Sequence, residues 1–249
     1  MRRLKCYVAY DGYNYVGWQT QSNGLAIQEV IEKVLAKISN TKVDIVSSGR
    51  TDAKVHAKNQ VFHFDTDFYL SCEDWKKAMN GNLPNDIYIK SVEEVPANFH
   101  ARFDVVKKRY EYLINLGEFD VFTRHLMYQC PYKLDVAYME KCSQIFVGEH
   151  DFDSFCANSY LTHPKQRRKI NKIEFEQVGQ TVKISFEGKG FLRYMVRLIT
   201  GTLIEAGRGR LTYDEVANML AIKDKDVCKY NAKPWGLYLA DIEYKQRDD

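Results

Sequence analysis

The chain reads as an α+β protein of two tandem split βαβ units, ferredoxin-like in pattern and with largely antiparallel sheets. Three observations predict this. Apolar residues switch repeatedly between alternate spacing, the mark of half-buried strands, and three-to-four spacing, the mark of amphipathic helices. The first part of the chain orders them as strand, helix, two strands, helix, strand. A related order begins again after residue 105 with no low-complexity linker between, so domains are expected at 1–105 and 106–249, with the halves closely packed.

Leu4, Cys6, Val8 and Tyr10 alternate and give the first strand. Ile27, Val30, Ile31, Val34, Leu35 and Ile38 fall on one helical face, so a helix follows. Val43–Ser48 and Gln60–Phe64 read as strands. Ser71, with Asp74 three positions on, is a capping-box variant opening a helix that presents Cys72, Trp75 and Met79, and Ile87–Val95 returns as a strand. In the second half Arg109–Leu116 is a strand and Val136–Phe146 a helix closed by Gly148. Lys172–Val178 and Val182–Phe186 form a hairpin turning on Gly179-Gln180. Leu192, Met195, Val196, Ile199 and Leu203 share one side of a helix, Thr212 and Glu215 box the start of another, and Leu237–Tyr244 closes the second domain as a strand.

Composition narrows the class. Hydrophobic residues at 45% and charged residues at 28% exclude a disordered or fibrous chain. Apolar runs are broken well before the ~18 residues that a membrane helix needs, so neither a span nor a signal peptide is expected. The six cysteines (Cys6, Cys72, Cys130, Cys142, Cys156, Cys228) lack the short spacings of zinc or redox motifs and read as reduced cytosolic thiols. His150, Asp151 and Asp153 are the nearest approach to a metal cluster, yet their spacing suits a helix cap better. A net charge of +3 does not by itself demand a nucleic-acid partner. Local clustering is more pointed: Lys165-Gln166-Arg167-Arg168-Lys169 is a basic run, and Arg193, Arg197, Arg208 and Arg210 crowd another stretch. Either is a phosphate-binding surface or a solvated face.

Ser48-Gly49-Arg50-Thr51-Asp52-Ala53-Lys54-Val55-His56-Ala57 lies between two strands, where rigid scaffolds carry catalytic groups. On residue type alone Asp52 reads as an ordinary turn residue, and Arg50 and His56 as surface residues. The wider pattern favours chemistry. Gly49-Arg50-Thr51-Asp52-Ala53 followed by Val55-His56-Ala57 resembles the active-site motif of the TruA-type tRNA pseudouridine synthases. Four further segments match that family in order: Tyr10-Asp11-Gly12 with Tyr15-Val16-Gly17-Trp18-Gln19; Phe99-His100-Ala101-Arg102-Phe103 with Arg109-Tyr110-Glu111-Tyr112; Gly148-Glu149-His150-Asp151-Phe152 with Ser154-Phe155; and Gly190-Phe191-Leu192 with Met195-Val196-Arg197 and Gly201. Two departures stand out. Lys54 occupies a position where the family usually has Gly, a residue often kept for positive φ or close approach, and the late Ala-Pro motif reads Ala232-Lys233-Pro234.

The resemblance implies an isomerase that breaks the N1–C1′ bond of a tRNA uridine, turns the uracil and rejoins it through C5, at positions 38–40 of the anticodon stem-loop. It implies a cleft between the two domains, no metal and no organic cofactor, a homodimer holding one tRNA across both subunits, and a cytoplasmic location. Asp52 becomes the catalytic carboxylate, with Arg197 as its ion-pair partner holding the carboxyl below the usual range. Tyr110 lies against the uracil as stacking ring and general base, and Arg50 enters the space left by a flipped nucleotide. Lys165, Arg167, Arg168 and Lys169, with Lys54 and His56, are the candidate RNA contacts. Two rivals remain: a non-catalytic RNA-binding module with bases stacked on sheet aromatics, and a metal-dependent phosphoesterase.

Overall fold

Burial follows the predicted periodicity in the opening strand: Leu4, Cys6, Val8 and Tyr10 are buried and their neighbours are not. The computed structural model describes residues 1–157 and 166–245 and resolves two compact units, Met1–Val106 with the chain from Tyr238 onward, and Lys107–Leu237.

The first unit runs β1 (Arg2–Tyr10), α1 (Ile27–Ser39), β2 (Val46–Ser47), β3 (His56–Thr66), α2 (Cys72–Asn80) and β4 (Ile87–Val95). These four strands lie in the order β4-β1-β3 with β2 on β3, each of these pairs antiparallel, which is the split βαβ arrangement. The α1 stripe buries Ile27, Ile31, Val34 and Leu35, and the helix stops at Asn40 in the left-handed conformation. Ser71 caps α2 by accepting from the Asp74 amide at 3.1 Å. Phe64 sits opposite Leu4 in the register and meets Trp75 of α2 edge-on at 5.3 Å, so the face carrying Leu4, Cys6 and Val8 is the helix-covered face. β2 is shorter than its apolar pattern predicts. Val43 and Ile45 are buried, but the Ile45 amide donates to Glu32 Oε1 of α1 at 3.2 Å instead of to a strand.

The second unit runs β5 (Val105–Asn115), β6 (Tyr128–Gln129), α3 (Val136–Ser143) with a 3-10 turn over Gln144–Phe146, β7 (Gly148–Asp151), β8 (Arg167–Val178), β9 (Thr181–Gly188), α4 (Met195–Gly207) and α5 (Tyr213–Ile222). Strands β5-β9-β8-β7 are antiparallel neighbours, and β6 adds a short parallel pairing to β5. Every residue of α4 except Glu205 is buried, the signature of a helix enclosed on all sides. The Thr212–Glu215 capping box forms with both of its bonds. Gly148 does not close α3 as predicted: with φ +108 it opens β7, and Asp151 at the end of that strand accepts from the Asp153 amide at 3.2 Å, where a 3-10 turn over Asp153–Phe155 begins.

The last strand, β10 (Leu237–Tyr244), also departs from the sequence reading. From Tyr238 it belongs to the first unit, running parallel to β3 with Tyr238 opposite His56 and Leu239 opposite Ala57. A linear division into 1–105 and 106–249 misplaces it, because pairing between distant segments leaves no local pattern. Among the described residues no helix is long and apolar enough to cross a membrane.

Candidate functional site

The loop between β2 and β3 is held by β3 at its start and by the amino-terminal motif at Thr51 and Lys54. Ser48 donates its amide to Val61 O at 2.8 Å, and Gln60 Nε2 donates to Gly49 O at 2.9 Å. Thr51 O accepts from the Trp18 amide at 3.1 Å while its hydroxyl meets the Tyr10 hydroxyl at 2.8 Å. Burial raises the pKa of that tyrosine, so its proton stays available for the bond. Lys54 donates its amide to Tyr15 O at 3.1 Å, and Val55 donates to Asp52 O at 3.2 Å. The last bond closes a β-turn over Asp52–Val55. Only its third residue, Lys54, has positive φ (+64), which makes it a type II turn. This is why the position suits glycine and why a lysine here carries backbone strain.

Two glycines explain the spacing of the amino-terminal motif. A Cβ on Gly12 would lie 2.0 Å from Val55 O, and one on Gly17 would lie 2.7 Å from Thr51 O and 3.1 Å from the Asp52 carbonyl carbon. Gly17 also holds φ +112. The motif is a wall against which the Asp52 turn rests. Asp52 itself is half-buried and Arg50 exposed.

His56 does not meet the expectation of an RNA contact. It is 1% exposed, stacked on Tyr238 with centroids 4.7 Å apart, and its Nδ1 lies 3.1 Å from the Gly12 amide and 3.0 Å from Asp11 Oδ1. One nitrogen serves one of these partners at a time: without a hydrogen Nδ1 accepts from the amide, and with one it donates to the carboxylate. Either way His56 supports the loop from within the fold. The Phe99–Phe103 motif is likewise structural. Phe99 O accepts from Arg3 at 2.7 Å, Ala101 donates its amide to His63 Nδ1 at 3.2 Å, and Ala101 O accepts from the Tyr244 hydroxyl at 2.7 Å.

In the second unit Tyr110 lies on β5 opposite Phe186 of β9, 9% exposed, with Phe191 edge-on at 5.2 Å. Arg197 occupies the first turn of α4 and is 9% exposed. Its Nε donates to Ala232 O at 2.9 Å, its carbonyl accepts from the Ala232 amide at 3.0 Å, and its guanidinium lies 4.9 Å from the Tyr194 ring centre. The next residue, Lys233, accepts from the Tyr112 hydroxyl through its carbonyl at 2.8 Å. The Ala232-Lys233-Pro234 motif thus clamps the arginine and a buried tyrosine by its backbone, and the inserted lysine does not prevent it.

The basic run is split by strand geometry. Lys165 lies outside the described residues. Arg167 and Lys169 are exposed on one face of β8, whereas Arg168 points to the other, half-buried, its pKa lowered by burial. Arg167 Nε lies 3.3 Å from Glu149 Oε1 on β7. Lys58 and Lys90, each isolated in sequence, lie together in the fold, with Lys90 Nζ 3.3 Å from Lys58 O.

A family model described as tRNA pseudouridine synthase matches residues 7–104 and 142–245, segments that contain Asp52 and Arg197 but not Tyr110. The tRNA pseudouridine synthase A of Exiguobacterium sibiricum is 43% identical over 246 residues, covering 99% of this chain and 98% of that one. Those of Anoxybacillus flavithermus and Listeria innocua are each 42% identical, covering 98% of this chain and 99% and 100% of theirs. The chain belongs to the tRNA pseudouridine synthase family.

Proposed function

We propose that the chain isomerises uridine to pseudouridine in the anticodon stem-loop of tRNA, at positions 38–40, as a cytoplasmic homodimer, with Asp52 as the catalytic carboxylate. The observation that carries this reading is the tethering of the Asp52 turn on both flanks, to Tyr10, Tyr15 and Trp18. A carboxylate at a developing oxocarbenium centre acts through position, and misplacement by 1 Å costs roughly a hundredfold. An ordinary turn needs no such support.

In this reading the N1–C1′ bond breaks, the uracil turns, and a C5–C1′ bond forms as the C5 proton is lost and N1 regains one. Electrons and atoms balance without an oxidant or reductant. Asp52 supplies negative charge or a nucleophile at the sugar or the uracil ring. Tyr110, already ring-packed against Phe191, offers a π face to the uracil and a hydroxyl for proton transfer. Arg197 supplies the charge that keeps the carboxylate ionised. Its placement supports this role: a guanidinium both buried and at the positive end of a helix is penalised twice, and such groups persist where an anion pairs with them. Exposed Arg50 enters the stack in place of the flipped nucleotide, and Arg167 and Lys169 hold phosphates. For the dimer, Phe119, Val121 and Phe122 leave apolar surface on one exposed segment, Phe122 being 88% exposed.

The test is purified protein with unmodified tRNA, with pseudouridine mapped by chemical labelling and reverse transcription. Modification at 38–40 is expected, absent in Asp52→Asn, whose melting temperature should match the parent's. Turnover by Asp52→Asn within tenfold of the parent, or modification confined to other positions, overturns the assignment. Light scattering should give twice the chain mass.

A further inference from the structure

We propose that Lys54, Lys58 and Lys90, with the rings of Tyr13 and Tyr238 between them, form a strip that binds the phosphate backbone of the RNA substrate, beginning at the turn that carries Asp52. The inference rests on the RNA-modifying reading above and extends it from Lys54 to Lys58 and Lys90, which lie outside the family's motifs.

The strip is continuous by contact. Lys54 Nζ stands 4.9 Å from the ring centre of Tyr13, whose amide donates to Asp11 Oδ1 at 3.0 Å. That carboxylate lies 3.0 Å from His56 Nδ1, and the His56 ring stacks on Tyr238 at 4.7 Å. Lys58 Nζ stands 5.2 Å from the Tyr238 ring centre, and Lys90 Nζ reaches Lys58 O at 3.3 Å and Asn59 Oδ1 at 3.1 Å. All lie within the first unit.

The strand register places Lys58 on the side of the sheet away from the helices. Ala57 pairs with Tyr10 and so shares the helix-covered face, which turns His56 and Lys58 to the opposite face. The three lysines are exposed. Asp241 accepts from Asn59 Nδ2 at 2.9 Å, and Asp11 accepts from the Tyr13 amide at 3.0 Å. A line of ammonium groups steadied by aromatic rings fits a polyanion of regular charge spacing, and RNA backbone is that ligand. Lys54 strengthens the case. The turn favours glycine at its position, so the strain is borne by a residue whose one addition is a cation two positions from Asp52.

The experiment uses the full chain and unmodified tRNA, with binding followed by fluorescence anisotropy across a monovalent salt series. The triple variant Lys54→Gln, Lys58→Gln, Lys90→Gln should weaken binding and flatten the slope of log K against log salt by about 2–3, at roughly 0.7–0.9 for each phosphate no longer neutralised. The triple arginine variant should keep the parent slope. A control triple, Lys33→Gln, Lys37→Gln, Lys77→Gln, removes equal charge from α1 and α2 and should leave the slope nearly unchanged. Should the glutamine triple melt, Lys58→Gln and Lys90→Gln singly must each flatten the slope by about 0.7–0.9. A parent slope in the glutamine variants, or equal flattening by the control, overturns the strip. Tritium release from C5-labelled uridine in tRNA by the parent separates the two readings: release with an unchanged slope refutes the strip alone, and no release refutes the catalytic reading whatever the slope.

Discussion

Gly17→Ala probes whether the amino-terminal wall positions the Asp52 turn. An added Cβ would stand 2.7 Å from Thr51 O, 3.1 Å from Ala53 N and 3.1 Å from the Asp52 carbonyl carbon, all backbone atoms that cannot swing aside as a side chain would. Restoring an ordinary separation of ~3.5 Å requires the turn to retreat by roughly 0.8 Å. A shift of that size at the reacting centre predicts a loss near a hundredfold in rate, or about 2.7 kcal/mol of barrier. Folding also suffers, because φ +112 disfavours any L side chain and overpacking adds about 1–3 kcal/mol. The total remains below the ~5–15 kcal/mol that holds a typical protein together, so the variant should fold with a reduced melting temperature.

The assay is single-turnover tritium release from C5-labelled uridine in tRNA, run well below the variant's thermal transition, with the transition followed by circular dichroism. Gly179→Ala is the matched control. It imposes positive φ (+58) in the β8–β9 hairpin but meets nothing within 4 Å, so it should lower the melting temperature and spare the rate. A folded Gly17→Ala enzyme turning over within threefold of the parent refutes the positioning argument.

Lys54→Gly should raise the melting temperature by roughly 1–3 °C: relief of about 1–2 kcal/mol of left-handed strain exceeds the ~0.5–1 kcal/mol of added unfolded-state entropy. A clear drop in melting temperature contradicts the type II turn. Stability should decline as pH falls from about 6.5 to 4. Burial, with Arg3 and His100 nearby, lowers the His63 pKa to about 4, so over that window the unfolded chain binds a proton that the folded chain refuses. His63→Gln should remove about one proton from the slope of stability against pH, and an unaltered slope assigns the effect elsewhere. Activity on a pre-folded stem-loop in monovalent salt should survive excess chelator, and a loss restored by a divalent ion would point to a metal mechanism.

The elements most legible in the sequence are those whose own side chains specify them. The α1 stripe, the caps at Ser71 and Thr212, and the Ile87–Val95 strand all carry their instructions within a few residues and appear at the expected places. β2 and β10 were harder because distant partners decide them. Val43–Ile45 looks like strand until Glu32 of α1 takes the Ile45 amide, and β10 looks like the end of the second domain until it pairs beside β3.

The candidate site divides along the same line. Asp52 is readable because a dense local motif surrounds it, and the Lys54 anomaly is readable as a missing glycine. The function of the neighbouring motifs is not, because each acts on backbone far away: Gly12 and Gly17 make room for residues 51–55, and Ala232 exchanges two hydrogen bonds with Arg197 across 35 positions. His56 misled for the related reason that strand direction is invisible in a motif. Placed beside Asp52 in sequence it looks like a ligand contact, yet its ring belongs under Tyr238, a residue brought to it only by the return of the last strand. The same return brings Tyr238 to Lys58. A motif can therefore name the carboxylate, while the surface that would grip the substrate's backbone is assembled from single residues of β3, β4 and β10 whose common purpose exists only in the folded sheet.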